Sequence, residues 1–342
     1  MKILGIETSC DETAVAVVEA EDEQFKVLGS ALHSQIEMHR EFGGVVPNIA
    51  KREHLKNLPI VLEEALKKAG MSMDQIDMIA VTVGPGLEPA LWTGIKFAEE
   101  LGEKWNKKVV GTNHMEGHIA SVLANKTEEF SMTNLQFPIL ALLISGGHTE
   151  LVLMQSWTLK KVIGETKDDA VGEAFDKVAR MLGLPYPGGP EISKLATEAR
   201  EKDLHLEVQL PRPMINSGDY NFSFSGLKTA VLYYLRDNKN ASALEISREF
   251  EDAVSETLVS KSCKAIREFN PKTFIIGGGV IANTKLKADF ENLLNDFPET
   301  KLLIPEKSLT TDNAVMIAIA GYLANQSGQS SEMRANGNLK IH

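Results

Sequence analysis

Two stretches of this 342-residue chain follow the same plan, and that repetition restricts the fold more than any other feature. Ile3 to Thr8 is a buried-type strand, Ser9-Cys10-Asp11-Glu12-Thr13 a polar turn, and Ala14 to Glu19 the return. Ile139 to Ser145, Gly146-Gly147-His148-Thr149 and Glu150 to Met154 repeat strand, polar turn and strand. The repeat is one of pattern rather than identity. In a chain too long for one ordinary core it points to two domains or lobes.

Short apolar strands alternate with amphipathic helices throughout, which predicts α/β layers with partly parallel sheets. Helices are expected over Ile49–Lys68, interrupted by Pro59 and closed by Gly70, and over Leu91–Trp105. Strands are expected at Met78–Val83 and Val109–Asn113. A polar linker is expected at Asn125–Phe137 and an irregular insertion at Leu204–Phe224. A long helix over Ala243–Phe269, a strand at Thr273–Ile276, a helix from about Asn283 and a final helix over Asn313–Ala324 complete the plan. The polar tail beyond is expected to be partly mobile.

Two cysteines, Cys10 and Cys263, make no disulfide framework, and the opening residues lack the features of a secretory leader. No apolar run reaches the length of a membrane span. A cytoplasmic protein with no membrane partner is expected. Asp+Glu 47 against Lys+Arg 36 gives a net charge of −11, the reverse of a chain that grips nucleic acid unaided.

His114-Met115-Glu116-Gly117-His118 sets two imidazoles four residues apart, on one face of a helix. Two readings stand: a pair of helix histidines near a strand end, or two ligands to one ion. Zinc proteases need Glu directly after the first histidine; Met115 stands there, and Glu116 comes one residue late. Asp312, before an apolar helical run, reads as a helix N-cap that is compatible with metal ligation. The Ser9–Thr13 and Ser145–Thr149 turns have free backbone amides of the kind that hold phosphate oxygens. Asp11 and Glu12 in the first turn would repel phosphate unless a cation intervenes or they act on water or an attacking amine. Cys10 has no basic neighbour in sequence and is read as a small turn residue. Gly277-Gly278-Gly279-Val280-Ile281-Ala282 matches a dinucleotide fingerprint too near the C-terminus to complete a Rossmann sheet; a glycine turn approached by adenine or ribose fits better. Gly172–Lys177 begins a helix whose Asp176 is either a solvated carboxylate or a ribose acceptor. Gly189, in Tyr186-Pro187-Gly188-Gly189-Pro190, is either a plain turn residue or a close approach to ligand.

Taken together, Gly5–Thr13, Gly84-Pro85-Gly86, Asn113–His118, Ser145–Thr149, Gly172–Lys177, Pro187–Pro190, Gly277–Asn283 and Thr311-Asp312-Asn313-Ala314 resemble the TsaD family (also called Gcp or YgjD) over nearly the whole chain. That resemblance implies the two-lobed actin-like ATPase fold of sugar kinases and heat-shock chaperones, with a nucleotide cleft between lobes. It implies an N-terminal lobe of residues 1–112 plus the returning helix 312–325, a second lobe of 113–311 and a polar tail of 326–342. The activity implied is transfer of threonylcarbamoyl from threonylcarbamoyl-AMP to N6 of the adenosine beside the anticodon in tRNAs reading ANN codons, releasing AMP. Residue by residue, His114, His118 and Asp312 match metal ligands, usually for iron, with zinc often proposed. Leu143, Ile144, Ser145, Gly146 and Gly147 match the stretch around the ligand's phosphate and acyl group. Asp176, Gly189 and Asn283 match its nucleoside contacts, the same site accepting ATP or AMP.

Two positions depart from the family pattern. Ser193 stands where many members carry an acidic ligand contact, and Met115 replaces a commoner Leu or Ile. The implied mechanism is acyl transfer helped by a Lewis-acid metal, with amides of the Ser145 turn stabilising developing charge and Asp11 or Glu12 as base. Implied partners are tRNA, the TsaB paralogue and the TsaE ATPase, with TsaC supplying the adenylate. A zincin-like metalloprotease, a small-molecule kinase on the same fold and a non-catalytic paralogue are the rival readings.

Overall fold

The computed structural model describes residues 1–21, 24–124 and 135–341. Residues 125–134 of the expected linker lie outside the described ones. The chain divides into two compact units. One comprises Met1–Gln136, Gln155–Lys160 and Ile304–His342; the other comprises Phe137–Met154 and Lys161–Leu303.

The first unit is built on β1 (Lys2–Glu7), β2 (Glu12–Glu21), β3 (Gln24–Ser34), β4 (Met78–Gly84) and β5 (Lys108–Asn113), in the order β3-β2-β1-β4-β5. β1, β2 and β3 form an antiparallel meander, while β4 and β5 run parallel to β1. β1 and β4 are buried on both faces, which explains their unbroken apolar sequences. One face is packed by α2 (Pro47–Ala69) and α3 (Glu88–Trp105), where Leu58, Val61, Leu91 and Ile95 join Leu4, Ile6 and Val15 in one core. α2 continues through Pro59 instead of breaking there, and ends at Gly70 in the left-handed conformation, φ 64°. The short α1 (Ile36–Arg40) links β3 to α2.

α4 (His114–Ala120) follows β5 directly. The other face of β1 receives α10 (Ala314–Ser327), which is buried nearly all round. Helix and strand approach so closely that a Cβ on Gly5 would stand 2.1 Å from the Ala314 carbonyl oxygen and 2.8 Å from the Ala318 nitrogen. α4 packs on α10 in turn: a Cβ on Gly117 would meet Ile317 Cδ1 at 3.0 Å. The boundaries expected at 112/113 and 311/312 therefore both fall inside the first unit, and His114, His118 and Asp312 belong to it together.

The second unit repeats the topology. β6 (Ile139–Ile144), β7 (Thr149–Ser156), β8 (Leu159–Glu165), β9 (Thr273–Gly277) and β10 (Lys301–Leu303) lie in the order β10-β9-β6-β7-β8. β6 pairs antiparallel with β7 and parallel with β9, which pairs parallel with β10. Around it lie α5 (Val171–Met181), α6 (Gly188–Glu201), α7 (Ser225–Asp237), α8 (Ala243–Phe269) and α9 (Thr284–Leu294). Leu204–Phe224 contains no helix or strand, as its prolines and glycines imply. In both sheets the polar turn leaves the carboxyl end of the central strand, where ligands of open α/β sheets are bound.

The C-terminal residues, expected as a mobile tail, are instead packed. Ser331 bridges Gly111, Asn336 N–H donates to the Val83 carbonyl at 2.9 Å, and Ala335 and Ile341 are buried.

Gly5→Val should force α10 off β1. The expected cost is about 2–3 kcal/mol of stability, typical of overpacking, read as a lowered urea midpoint with an unchanged slope.

Candidate metal centre

Asn113 ends β5 and caps α4: its Oδ1 accepts from Met115 N–H at 2.8 Å and from Glu116 N–H at 3.3 Å. The helix thus starts at His114 and carries His118 one turn on, with ring centroids 4.7 Å apart. Asp312 Oδ1 lies 3.4 Å from Nε2 of both histidines. Ligand atoms of the three side chains all lie within 4.8 Å of one another.

Asp312 is not the N-cap expected of it. Asn313 fills that place: its Oδ1 accepts from Met316 N–H at 3.0 Å, and its Nδ2 donates to the Thr311 carbonyl at 2.8 Å. An asparagine therefore caps each of the two helices, and the Asp312 carboxylate is free to face the histidines.

The donor set fits a metal. His118 is fully buried, and neither of its ring nitrogens has a hydrogen-bond partner among the described residues. Such an orphaned group costs free energy unless something coordinates it. The 3.4 Å separations are long for hydrogen bonds. They suit donors sharing an ion, since ligands about 2.1 Å from a tetrahedral centre stand about 3.4 Å apart.

Sequence reasoning missed Glu7, which is fully buried at the end of β1. His114 Nδ1–H donates to its Oε2 at 2.9 Å, Thr82 Oγ1 donates to the same oxygen at 2.7 Å, and Ser9 N–H donates to Oε1. Anchoring Nδ1 leaves Nε2 as the ligating nitrogen, the arrangement in which a carboxylate orients a metal-bound histidine. Burial alone would raise the Glu7 carboxyl, but His114 holds it below its ordinary value. Asp312 behaves likewise: burial opposes its charge, and His114 and His118 keep it well below the carboxylate range. Burial would depress the His114 imidazole, yet Asp312 and Glu7 raise it well above normal, whereas burial lowers His118.

Glu116 points to other work. It accepts from Lys160 Nζ at 2.5 Å and is tied up in that ion pair, so no carboxylate in the helix plays a zinc protease's base. Burial, Asp11 and Asp312 raise the Glu12 carboxyl well above its ordinary value. Burial and the neighbouring carboxylates also push the Cys10 thiol up, in keeping with a small turn residue.

In the second unit the Ser145 turn is closed by Ser145 N–H donating to the His148 carbonyl at 2.9 Å and His148 N–H donating to Ser145 Oγ at 3.1 Å. Space around Gly146 and Gly147 is open. α5 begins beside this turn because Gly172 has no side chain: a Cβ there would meet the Ser145 carbonyl oxygen at 2.7 Å and Gly146 N at 3.0 Å. Leu143 and Ile144 point fully into the core, so only their backbone is available to a ligand. Asp176 Oδ1 accepts from Gly188 N–H at 2.7 Å, which brings it beside Gly189, itself open to solvent space. Asn283 caps α9 and donates to Glu251 Oε1 at 2.6 Å and to Ser193 Oγ at 3.3 Å. Gly278, in the left-handed region at φ 98°, lies against the Ile144 carbonyl, where a side chain would not fit.

The family model for tRNA N6-adenosine threonylcarbamoyltransferase (TsaD) matches residues 26–319. The chain is 48% identical over 345 residues to a tRNA N6-adenosine threonylcarbamoyltransferase of Thermosipho africanus (strain TCF52B), covering 100% of both chains. It is 46% identical to that of Bacillus subtilis (strain 168), over 98% of this chain and 94% of the relative. Among solved structures, HypF of T. kodakarensis is similar with a TM-score of 0.60 at 15% identity, covering 95% of this chain and 48% of that one, a likeness of fold.

Glu7→Gln should weaken metal binding about tenfold, the lower end of such outer contacts, with the fold intact. Equilibrium dialysis followed by elemental analysis reads the change.

Proposed function

The chain belongs to the TsaD family of tRNA N6-adenosine threonylcarbamoyltransferases, and we propose that it moves threonylcarbamoyl from threonylcarbamoyl-AMP to tRNA. The acceptor is N6 of the adenosine beside the anticodon in tRNAs reading ANN codons. A bond forms between N6 and the carbamoyl carbon as the bond from that carbon to the phosphate oxygen breaks, and AMP leaves. The observation that carries this reading is the meeting of His114, His118 and the sequence-distant Asp312, in a chain that matches its relatives throughout.

His114, His118 and Asp312 would hold the metal, and two histidines with one carboxylate suit ferrous iron, with zinc the competitor. When bound, the ion supplies Lewis-acid polarisation of an acyl or phosphate oxygen. In the second unit, amides at Gly146 and Gly147, beside the N-terminus of α5, would hold phosphate oxygens. Backbone at Leu143, Ile144 and Ser145 would border the acyl group. Asp176 and Gly189 would meet the nucleoside, and Asn283 would act through the wall it builds with Glu251 and Ser193. Glu12 is the residue assigned to take the N6 proton, its carboxyl raised by burial and by Asp11 beside it.

The two compact units are assigned as the two lobes. Among the described residues no helix is long and apolar enough to cross a membrane, and a cytoplasmic site of action fits a tRNA substrate. A net charge of −11 argues that tRNA is held with the help of partners, for which TsaB and TsaE are proposed, TsaC making the adenylate.

Supplying threonine, bicarbonate, ATP, the partner proteins and unmodified tRNA should yield the threonylcarbamoylated nucleoside by mass spectrometry of digested tRNA. Its absence, beside an active relative, would overturn the assignment. His118→Ala and Asp312→Ala should each lose bound metal and about a thousandfold in rate, the several kcal/mol a Lewis acid contributes. Glu12→Gln should keep the metal and slow transfer about a hundredfold. The isolated chain should bind tRNA weakly, and more weakly as salt rises, in filter-binding titrations.

A further inference from the structure

Behind the Ser9–Thr13 turn lies a group of buried polar side chains that the chemistry above does not use. Thr13, Gln35, His39 and His54 are all at most 1% exposed, although they come from β2, the entry to α1, α1 itself and α2. Their contacts form one chain. Val46 N–H donates to His39 Nδ1 at 3.3 Å, and His39 Nε2–H donates to Gln35 Oε1 at 3.2 Å. Gln35 Nε2–H faces His54 Nδ1 at 3.3 Å, which also accepts from Thr13 Oγ1 at 2.8 Å. His54 Nε2–H then donates to the Cys10 carbonyl at 3.0 Å. Both imidazoles must be neutral and protonated on Nε2, because every other assignment sets two donors face to face.

The outlet of this chain is what matters. Three successive carbonyls of the turn are held: Ser9 by Leu87 N–H at 2.8 Å, Cys10 by His54, and Asp11 by Gln35 N–H at 2.9 Å. The outer two depend on backbone donors that no substitution short of proline removes. The middle one, at the peptide that carries Asp11, depends on a side chain.

We propose that His54 is a positioning residue for the transfer reaction, fixing the Cys10–Asp11 peptide and so the aim of the Asp11 carboxyl beside that of Glu12. This rests on the reading that those carboxyls serve the reaction. Thr13 and the Gln35–His39 pair hold the His54 ring in the one tautomer that can donate to Cys10.

The test compares His54→Leu, which fills the space without a donor, with His54→Gln, whose amide N–H can reach the Cys10 carbonyl. With partner proteins and tRNA present, His54→Leu should lower kcat about a hundredfold, the effect of a small displacement at a reacting group, while KM for tRNA and metal per chain stay unchanged. His54→Gln should return kcat close to the wild-type value. Long-range nitrogen–proton NMR of the histidine-labelled chain should show His54 neutral with its proton on Nε2. Full kcat in His54→Leu, equal losses in both variants, or a proton on Nδ1 would each overturn the proposal. If His54→Leu does not fold, His54→Gln and the tautomer decide alone. If the wild-type chain transfers nothing, the functional reading fails by itself. Amide exchange at Asp11 and Glu12 then judges His54: faster in His54→Leu than in His54→Gln supports the role, and no difference refutes it.

Discussion

The site depends on one condition: two buried imidazoles and a distant, half-buried carboxylate must share a small volume. The chain meets it by laying α10 on β1 and α4 on α10, with Gly5 and Gly117 permitting the close approaches. Two asparagines then divide the labour. Asn113 and Asn313 satisfy the open amides at the helix starts, which releases His114 and Asp312, each next to its cap, for something else. Were Asp312 the cap, its oxygens would be committed to backbone and the histidines would face no anion.

That distribution of charge organises the surroundings. Glu7 anchors His114 from behind, and Asp312 faces it from in front. The acidic turn of Asp11 and Glu12 is close enough for Asp312 to influence the Glu12 carboxyl. A buried cluster of this kind is tolerable only if cations or protons balance it. The imidazoles supply part of that balance, and a bound metal would supply the rest. Crowding raises the Glu12 carboxyl, and a raised carboxyl is a stronger base when ionised.

Much of this was legible in the residues. The repeated strand–turn–strand pattern foretold two sheets of one topology, and α8 runs over the very span its sequence suggested. What stayed hidden did so for physical reasons. Glu7 sits in an apolar strand, where nothing in local periodicity separates a buried, hydrogen-bonded carboxylate from an irregularity. Asp312 and Asn313 are both good caps, and only the backbone angles choose between them. Pro59 breaks no helix because tertiary packing of α2 on the sheet outweighs the lost backbone bond. His54 is spaced like a core residue of α2 and is one by burial, yet its partners come from three other elements. Relations of that kind exist only once the chain is folded.

The first unit is interrupted: its sheet is complete by Asn113, but α10 lies some two hundred residues later, after the whole of the second unit. On the ribosome the second unit can close while the first still shows the groove beside Gly5 that α10 will fill. Until residue 312 has emerged, only two of the three candidate ligands, His114 and His118, are present, and the Asn113 cap lacks its contact to the Lys340 carbonyl at 3.1 Å. The candidate ligand set is therefore completed only after the whole of the second unit has been made.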